Sequence, residues 1–246
     1  MGSERLPGKV LLDLIDGKKS IEFLIEQLET SKLQQKIVAI PDDGSDDILF
    51  NFLNNLKISC YRGSKLDVLD RYYNCAKEFS FKHIMRITGD NPLIDPEIVN
   101  DAIEEYCHSN CDYLTNSIDR TFPNGTEVEI FSFNALEIAW KNAKKKSERE
   151  HVTPYFYNNP EKFKIHYFKQ QKNQSKFRYT IDRKEDYDLV VEILSRIKKR
   201  PIKTSDIIEL LTKNPELLKL NSHIISNEGY IKSINEDWKI EKWKDK

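Results

Sequence analysis

The chain has 246 residues, 39% of them hydrophobic and 32% charged. That suits one α/β domain with a sizeable core, and no apolar run is long enough to span a membrane. A net charge of −1 speaks against nucleic acid as the main partner, which calls for a basic face. Lys144-Lys145-Lys146 and Lys198-Lys199-Arg200 read as solvated helix ends.

Residues 1–9, Met-Gly-Ser-Glu-Arg-Leu-Pro-Gly-Lys, form a phosphate-gripping loop. Ser3, the backbone N–H groups near Gly2 and Gly8, and the cations Arg5 and Lys9 are what a triphosphate requires. Strand-like and helical patterns then alternate: strands at 36–40, 57–61 and 83–87, helices at 45–56, 65–79 and 96–107. Asp95 is a natural N-cap, with Pro96 at the first helical position. This rhythm implies a mostly parallel sheet whose ligands bind beyond the carboxyl ends of the strands. In the second half, 127–131 and 163–168 read as strands, and 132–144, 184–198 and 204–212 as helices. The charged tail beyond Asn227 carries Trp238 and Trp243 as possible docking anchors. We expect a single domain over 1–246, with a helical C-terminal extension from about 203.

Nothing resembles a signal peptide, and the four cysteines fit reduced thiols in the cytoplasm. Cys60 and Cys75 read as core thiols. Cys107, His108 and Cys111 lack the second ligand pair a structural zinc needs.

Four loops carry chemistry: the opening segment, Arg62-Gly63-Ser64, the stretch from Arg86 through Thr88 and Asp90 to Asp95, and Tyr179-Thr180-Ile181-Asp182. Two carboxylates at strand ends beside a triphosphate loop suit Mg²⁺, which takes one or two carboxylates plus phosphate and water oxygens. Each aspartate also has a structural reading. Asp90 before Asn91-Pro92 fits an Asx-turn, and Asp182 with Glu185 fits a capping box. Glu127 and Glu129 share one strand face, toward solvent or a pocket. His151 is either a substrate ligand or a helix packing residue.

Together the motifs carry a family likeness. The opening segment, Tyr-Arg-Gly-Ser-Lys-Leu-Asp-Val-Leu-Asp-Arg-Tyr, Arg-Ile-Thr-Gly-Asp-Asn-Pro-Leu-Ile-Asp-Pro, Glu-Arg-Glu-His-Val-Thr-Pro-Tyr and the Asp182 segment occur in this order. From Gly2 to about Tyr230 the chain resembles the spore-coat-polysaccharide type of sugar cytidylyltransferase. That type is related to the 3-deoxy-manno-octulosonate and acylneuraminate cytidylyltransferases.

The resemblance implies a Rossmann-like nucleotidyltransferase fold, α/β, with a mostly parallel mixed sheet flanked by helices. It implies Mg²⁺-dependent transfer of CMP from CTP to an acidic sugar in surface polysaccharide or glycan biosynthesis, by a homodimer. Gly2, Ser3, Arg5 and Lys9 would hold the triphosphate, with Arg62, Ser64, Arg86 and Thr88 near the nucleotide. Lys9, Arg5 and Asp90 would be catalytic, Asp90 and Asp182 would hold the metal, and Glu127, Glu129, Glu150 and His151 would face the sugar. A nucleotide-sugar-dependent glycosyltransferase and a non-catalytic member of the family are the alternatives. Relatives place an apolar strand ending in Gln-Ala-Arg before the Met-Gly-Ser segment, so the usual first strand is expected to be missing here and a start codon is expected upstream.

Overall fold

Helix α1 (Ser20–Gln27) is the first α-helix and buries Ile21, Phe23 and Leu24. The computed structural model describes residues 2, 3 and 5–244, with side chains as far as 239. Met1, Glu4 and the Trp243 side chain lie outside that range.

Strands β1 (Val38–Pro41) and β2 (Cys60–Gly63) pair in parallel, Ile40 opposite Arg62. Helix α2 (Asp47–Asn55) makes the crossover and buries Leu49 and Leu53 against Ile40 and Ile21. Helix α3 (Val68–Glu78) follows, capped by Asp67, whose carboxylate accepts from the Asp70 N–H at 2.9 Å. Its Leu69, Tyr73 and Ala76 enter the core.

The second sheet begins with β3 (His83–Arg86), and helix α4 (Pro96–Ser109) comes next. Asp95 caps α4 as expected, accepting from the Glu97 N–H at 2.9 Å. Strands β4 (Tyr113–Thr115) and β5 (Glu129–Ser132), helices α5 (Phe133–Asn142), α6 (Lys146–His151) and α7 (Pro154–Tyr157), and strand β6 (Ile165–Tyr167) complete this layer. The strand order is β3-β5-β4-β6. Strand β5 runs antiparallel to β3 and β4, and β4 runs parallel to β6. The pairing is therefore mixed, as expected, but the strands form two sheets rather than one, with β1 and β3 in separate sheets. Helices α8 (Lys184–Arg196) and α9 (Thr204–Lys213) contribute Leu189, Ile193, Ile207 and Leu211 to one shared core cluster. Helix α10 (Glu228–Lys244) lies across α6.

Three expectations need correction. The strand expected to end at Asp182 is an extended segment with a single bridge, Arg178 to Asn124. Glu127 precedes β5, so Glu127 and Glu129 are not strand neighbours on one face. Strand β3 stops at Arg86, leaving Asp90 in the loop beyond it. In addition β4, α6 and α7 are too short to produce a readable period, and β4 is a three-residue strand buried throughout.

Candidate active site

Two apolar anchors fix the opening loop. Leu6 packs on the α8–α9 core, while Val10 and Leu11 pack against Ile21, Ile40 and Leu53. Between them Gly8 takes a φ of 70°, a left-handed conformation that costs glycine nothing, and starts a 3₁₀ turn over Lys9–Leu11. The Ser3 hydroxyl accepts from the Leu6 N–H at 3.3 Å. This geometry delivers Lys9 to the interior, where its ammonium lies 2.7 Å from Asp90 Oδ2 and 2.8 Å from Asp182 Oδ1. Arg5 donates to the same Asp182 oxygen at 3.0 Å.

The backbone brings the two aspartates together. The Ile181 N–H and the Thr180 hydroxyl both donate to the Asp90 carbonyl, at 2.8 and 3.1 Å. Asp90 is thus no Asx-turn former: its backbone holds the loop and its carboxylate is left for Lys9. The capping box also sits one residue later than expected. Arg183 is the N-cap of α8, and Asp186, not Glu185, is its partner. Asp186 is fully buried and accepts five hydrogen bonds, from the Asp182 and Arg183 N–H groups, Arg178 Nε and NH2, and Asn221 Nδ2. Arg178 extends from that pair to Asp182 Oδ2 at 3.4 Å. Neither Arg178 nor Asp186 was singled out in the sequence; the acidic residue four positions after Asp182 was the available signal.

Electrostatics follow from this packing. Burial pushes the Asp182 carboxyl up, but Lys9 and then Arg5 pull it down to about 2. Burial lowers the Lys9 ammonium, yet Asp90 and Asp182 more than reverse this and its pKa is raised.

A wall of paired charges adjoins the loop. Arg86 and Glu129 stand opposite each other in the β3–β5 ladder and bond at 2.7 Å, with the Tyr113 hydroxyl on the other Glu129 oxygen. Burial pushes the Glu127 carboxyl up against the opposing pull of Arg120, 2.8 Å away. Glu127 also accepts from the Gly125 N–H and from Asn91 Nδ2, and that same amide reaches the Thr88 hydroxyl. Thr88 and Glu127 are therefore joined through the Asn91 amide, next in sequence to Asp90.

Helix α10 supplies what the sequence did not foretell. Its Ser233 hydroxyl lies 3.0 Å from both Glu150 and His151, and Tyr230 meets the His151 ring edge-on at 5.3 Å between centroids. Asp237, buried, accepts from the Ser147 N–H. The expected anchor Trp238 is 56% exposed.

Other nominated groups stand elsewhere. Arg62 pairs with Asp47 at 2.6 Å and lies over the Phe50 ring, and the Ser64 hydroxyl accepts from the Asp67 N–H. Neither is bonded to the Lys9 cluster among the described residues. Gly2 is exposed, with open space where a Cβ would be. The cysteines form no disulfide.

The donor set at Lys9 fits Mg²⁺. Asp90 and Asp182 already converge on one positive charge. Among the described residues no group of three or more His, Cys, Asp or Glu forms a metal cage. Two carboxylates, with phosphate and water completing the shell, match the habit of this ion.

A βαβ unit, a mixed sheet and charged loops at the strand ends define an α/β protein of the nucleotidyltransferase fold. The family model for cytidylyltransferases matches residues 1–217, and the chain belongs to that family. It is 40% identical over 226 residues to an uncharacterised protein of Methanocaldococcus jannaschii, covering 91% of each chain. It is 32% identical over 227 residues to the spore coat polysaccharide biosynthesis protein SpsF of Bacillus subtilis, covering 88% of this chain and 92% of that one. The solved structure of a cytidylyltransferase from Leptospira borgpetersenii superposes with a TM-score of 0.86 at 35% identity, over 92% of this chain and 95% of the other. No described helix is long and apolar enough to cross a membrane.

Proposed function

We propose that this chain transfers CMP from CTP to an acidic sugar, releasing pyrophosphate, in the making of a surface polysaccharide or glycan. The observation that carries the reading is Lys9, held between Asp90 and Asp182 with Arg5 alongside. Membership of the cytidylyltransferase family supports the nucleotide, and the likeness to SpsF supports the pathway.

The cluster is electrically balanced, with Lys9, Arg5 and Arg178 against Asp90, Asp182 and Asp186. A triphosphate entering it brings excess negative charge that a further cation must offset. Mg²⁺, held by Asp90 and Asp182, would supply that charge and stabilise the phosphoryl oxygens as the bond to pyrophosphate breaks. Lys9 and Arg5 then turn from the carboxylates to the departing phosphates, where fixed positive charge stabilises the transition state. Arg178 and Asp186 hold Asp182 in place. Glu127, Glu129, Glu150 and His151 border the sugar side, and a homodimer is the expected assembly.

The test is pyrophosphate release from CTP, Mg²⁺ and a panel of acidic sugars. Release with one sugar, and with CTP over ATP and GTP, is the expected result. Silence across the panel would overturn the reading.

A further inference from the structure

Ser233 is 3% exposed and wedged between two consecutive residues of α6. Its hydroxyl oxygen lies 3.0 Å from Glu150 Oε2, 3.0 Å from His151 Nε2 and 3.1 Å from the Gly229 carbonyl. A hydroxyl carries one hydrogen, and a carboxylate or a carbonyl can only accept. The carboxylate makes the stronger, charge-assisted claim on that hydrogen. Ser233 is then left to accept from His151, so Nε2 carries the ring hydrogen and Nδ1 keeps its lone pair. Among the described residues Nδ1 holds no hydrogen bond.

The ring stands beside the phosphate loop. A Cβ on Gly229 would lie 3.5 Å from Arg5 NH1 and 3.9 Å from His151 Cε1, so Arg5 and His151 flank one spot at the start of α10. The other nitrogen of that guanidinium is on Asp182. The charged groups that act on His151 are Glu150 on its own helix, Arg5 on the opening loop, Arg86 on β3 and Asp237 on α10. Burial lowers its pKa, Glu150 opposes, and Arg86 and Arg5 add to the lowering, which favours the neutral ring at pH 7.

We propose that Glu150, Ser233 and His151 form a hydrogen-bonded triad in which His151 Nδ1 accepts the proton of the attacking sugar hydroxyl. The inference rests on the cytidylyl-transfer reading. As the sugar oxygen bonds to the α-phosphorus of CTP, its proton passes to Nδ1. The bond from the α-phosphorus to the bridging oxygen breaks, and its electron pair leaves on pyrophosphate. The imidazolium so formed is stabilised by its Nε2–H bond to Ser233, which in turn bonds the Glu150 carboxylate. Ser233 and Glu150 are positioning residues, and His151 is the general base.

Nitrogen-15 spectra of the imidazole in the unmodified chain should show the Nε2–H tautomer titrating below the usual histidine range. His151→Asn should lower kcat by roughly 10²–10³-fold and remove the acid limb of the pH–rate profile, with CTP binding retained. Ser233→Ala should move that limb and lower kcat, and Ser233→Thr should restore both. An Nδ1–H tautomer, or wild-type turnover and pH profile in His151→Asn, would overturn the role given to the triad while leaving cytidylyl transfer standing. An unmodified chain that releases no pyrophosphate from CTP with any acidic sugar would overturn the reaction and the triad's role together.

Discussion

Lys9 and Asp182 meet at 2.8 Å although 173 positions separate them, and Asp90 closes the contact from the other side at 2.7 Å. The lysine ammonium stands where two carboxylates would otherwise repel each other. In the proposed reaction it is the resident cation that an incoming metal and triphosphate would displace.

Replacing Lys9 with Met should therefore expose that repulsion. We expect a loss of about 1–3 kcal/mol in stability, because a partly buried pair loses its counter-charge. Added Mg²⁺ should raise the melting temperature of Lys9→Met more than that of the unmodified chain. Equal shifts in a thermal melt would show that the two carboxylates do not share a cation.

Acid should act through Asp182. Its folded pKa of about 2 lies below the ordinary carboxylate value of 3.8. The pairing therefore stabilises the fold above about pH 4, by on the order of 2 kcal/mol, and that contribution is lost as pH falls toward 2. Lys9 is shifted upward, so its share persists through neutral pH and is lost only as pH rises past the ordinary lysine value and through the raised one. Denaturant midpoints measured between pH 5 and pH 2 should fall less in Asp182→Asn than in the unmodified chain.

Asp90→Asn should abolish turnover and leave the fold intact. The Asp90 carbonyl, not its carboxylate, receives the Ile181 and Thr180 hydrogen bonds that join the loops. Circular dichroism and the thermal midpoint should change little while pyrophosphate release disappears. Unfolding of the variant would make Asp90 structural.

Gly125→Ala should damage the segment that leads to Asp182. Gly125 has a φ of +117°, and an added Cβ would stand 2.8 Å from the Tyr179 ring and 2.9 Å from the Thr180 backbone nitrogen. Neither can retreat, since Tyr179 is buried and its N–H is bonded to the Asn124 carbonyl at 2.8 Å. A loss above about 2 kcal/mol in chemical denaturation is expected.

Asp186→Ala should cost more than any exposed carboxylate, roughly 3–5 kcal/mol, because it strands the buried Arg178 and orphans two N–H groups at the start of α8. A midpoint within 0.5 kcal/mol of wild type, on the order of a surface substitution, would contradict the role given to Asp186.

The local parts of this molecule were legible in the chain. Asp95 and Pro96 announce α4 because capping is a matter of neighbouring residues, and Leu69, Tyr73 and Ala76 announce α3 because one helix face repeats within a few positions. The motifs of the opening loop, Asp90 and Asp182 indicated which residues to bring together. The tertiary structure decided how. It showed that Lys9 lies between the two carboxylates, that Asp186 rather than Glu185 caps α8, and that α10 brings Ser233 to Glu150 and His151. It also divided the strands between two sheets. Contacts across 81 to 173 positions leave no period in the sequence, because burial and charge pairing act between groups that only folding makes neighbours.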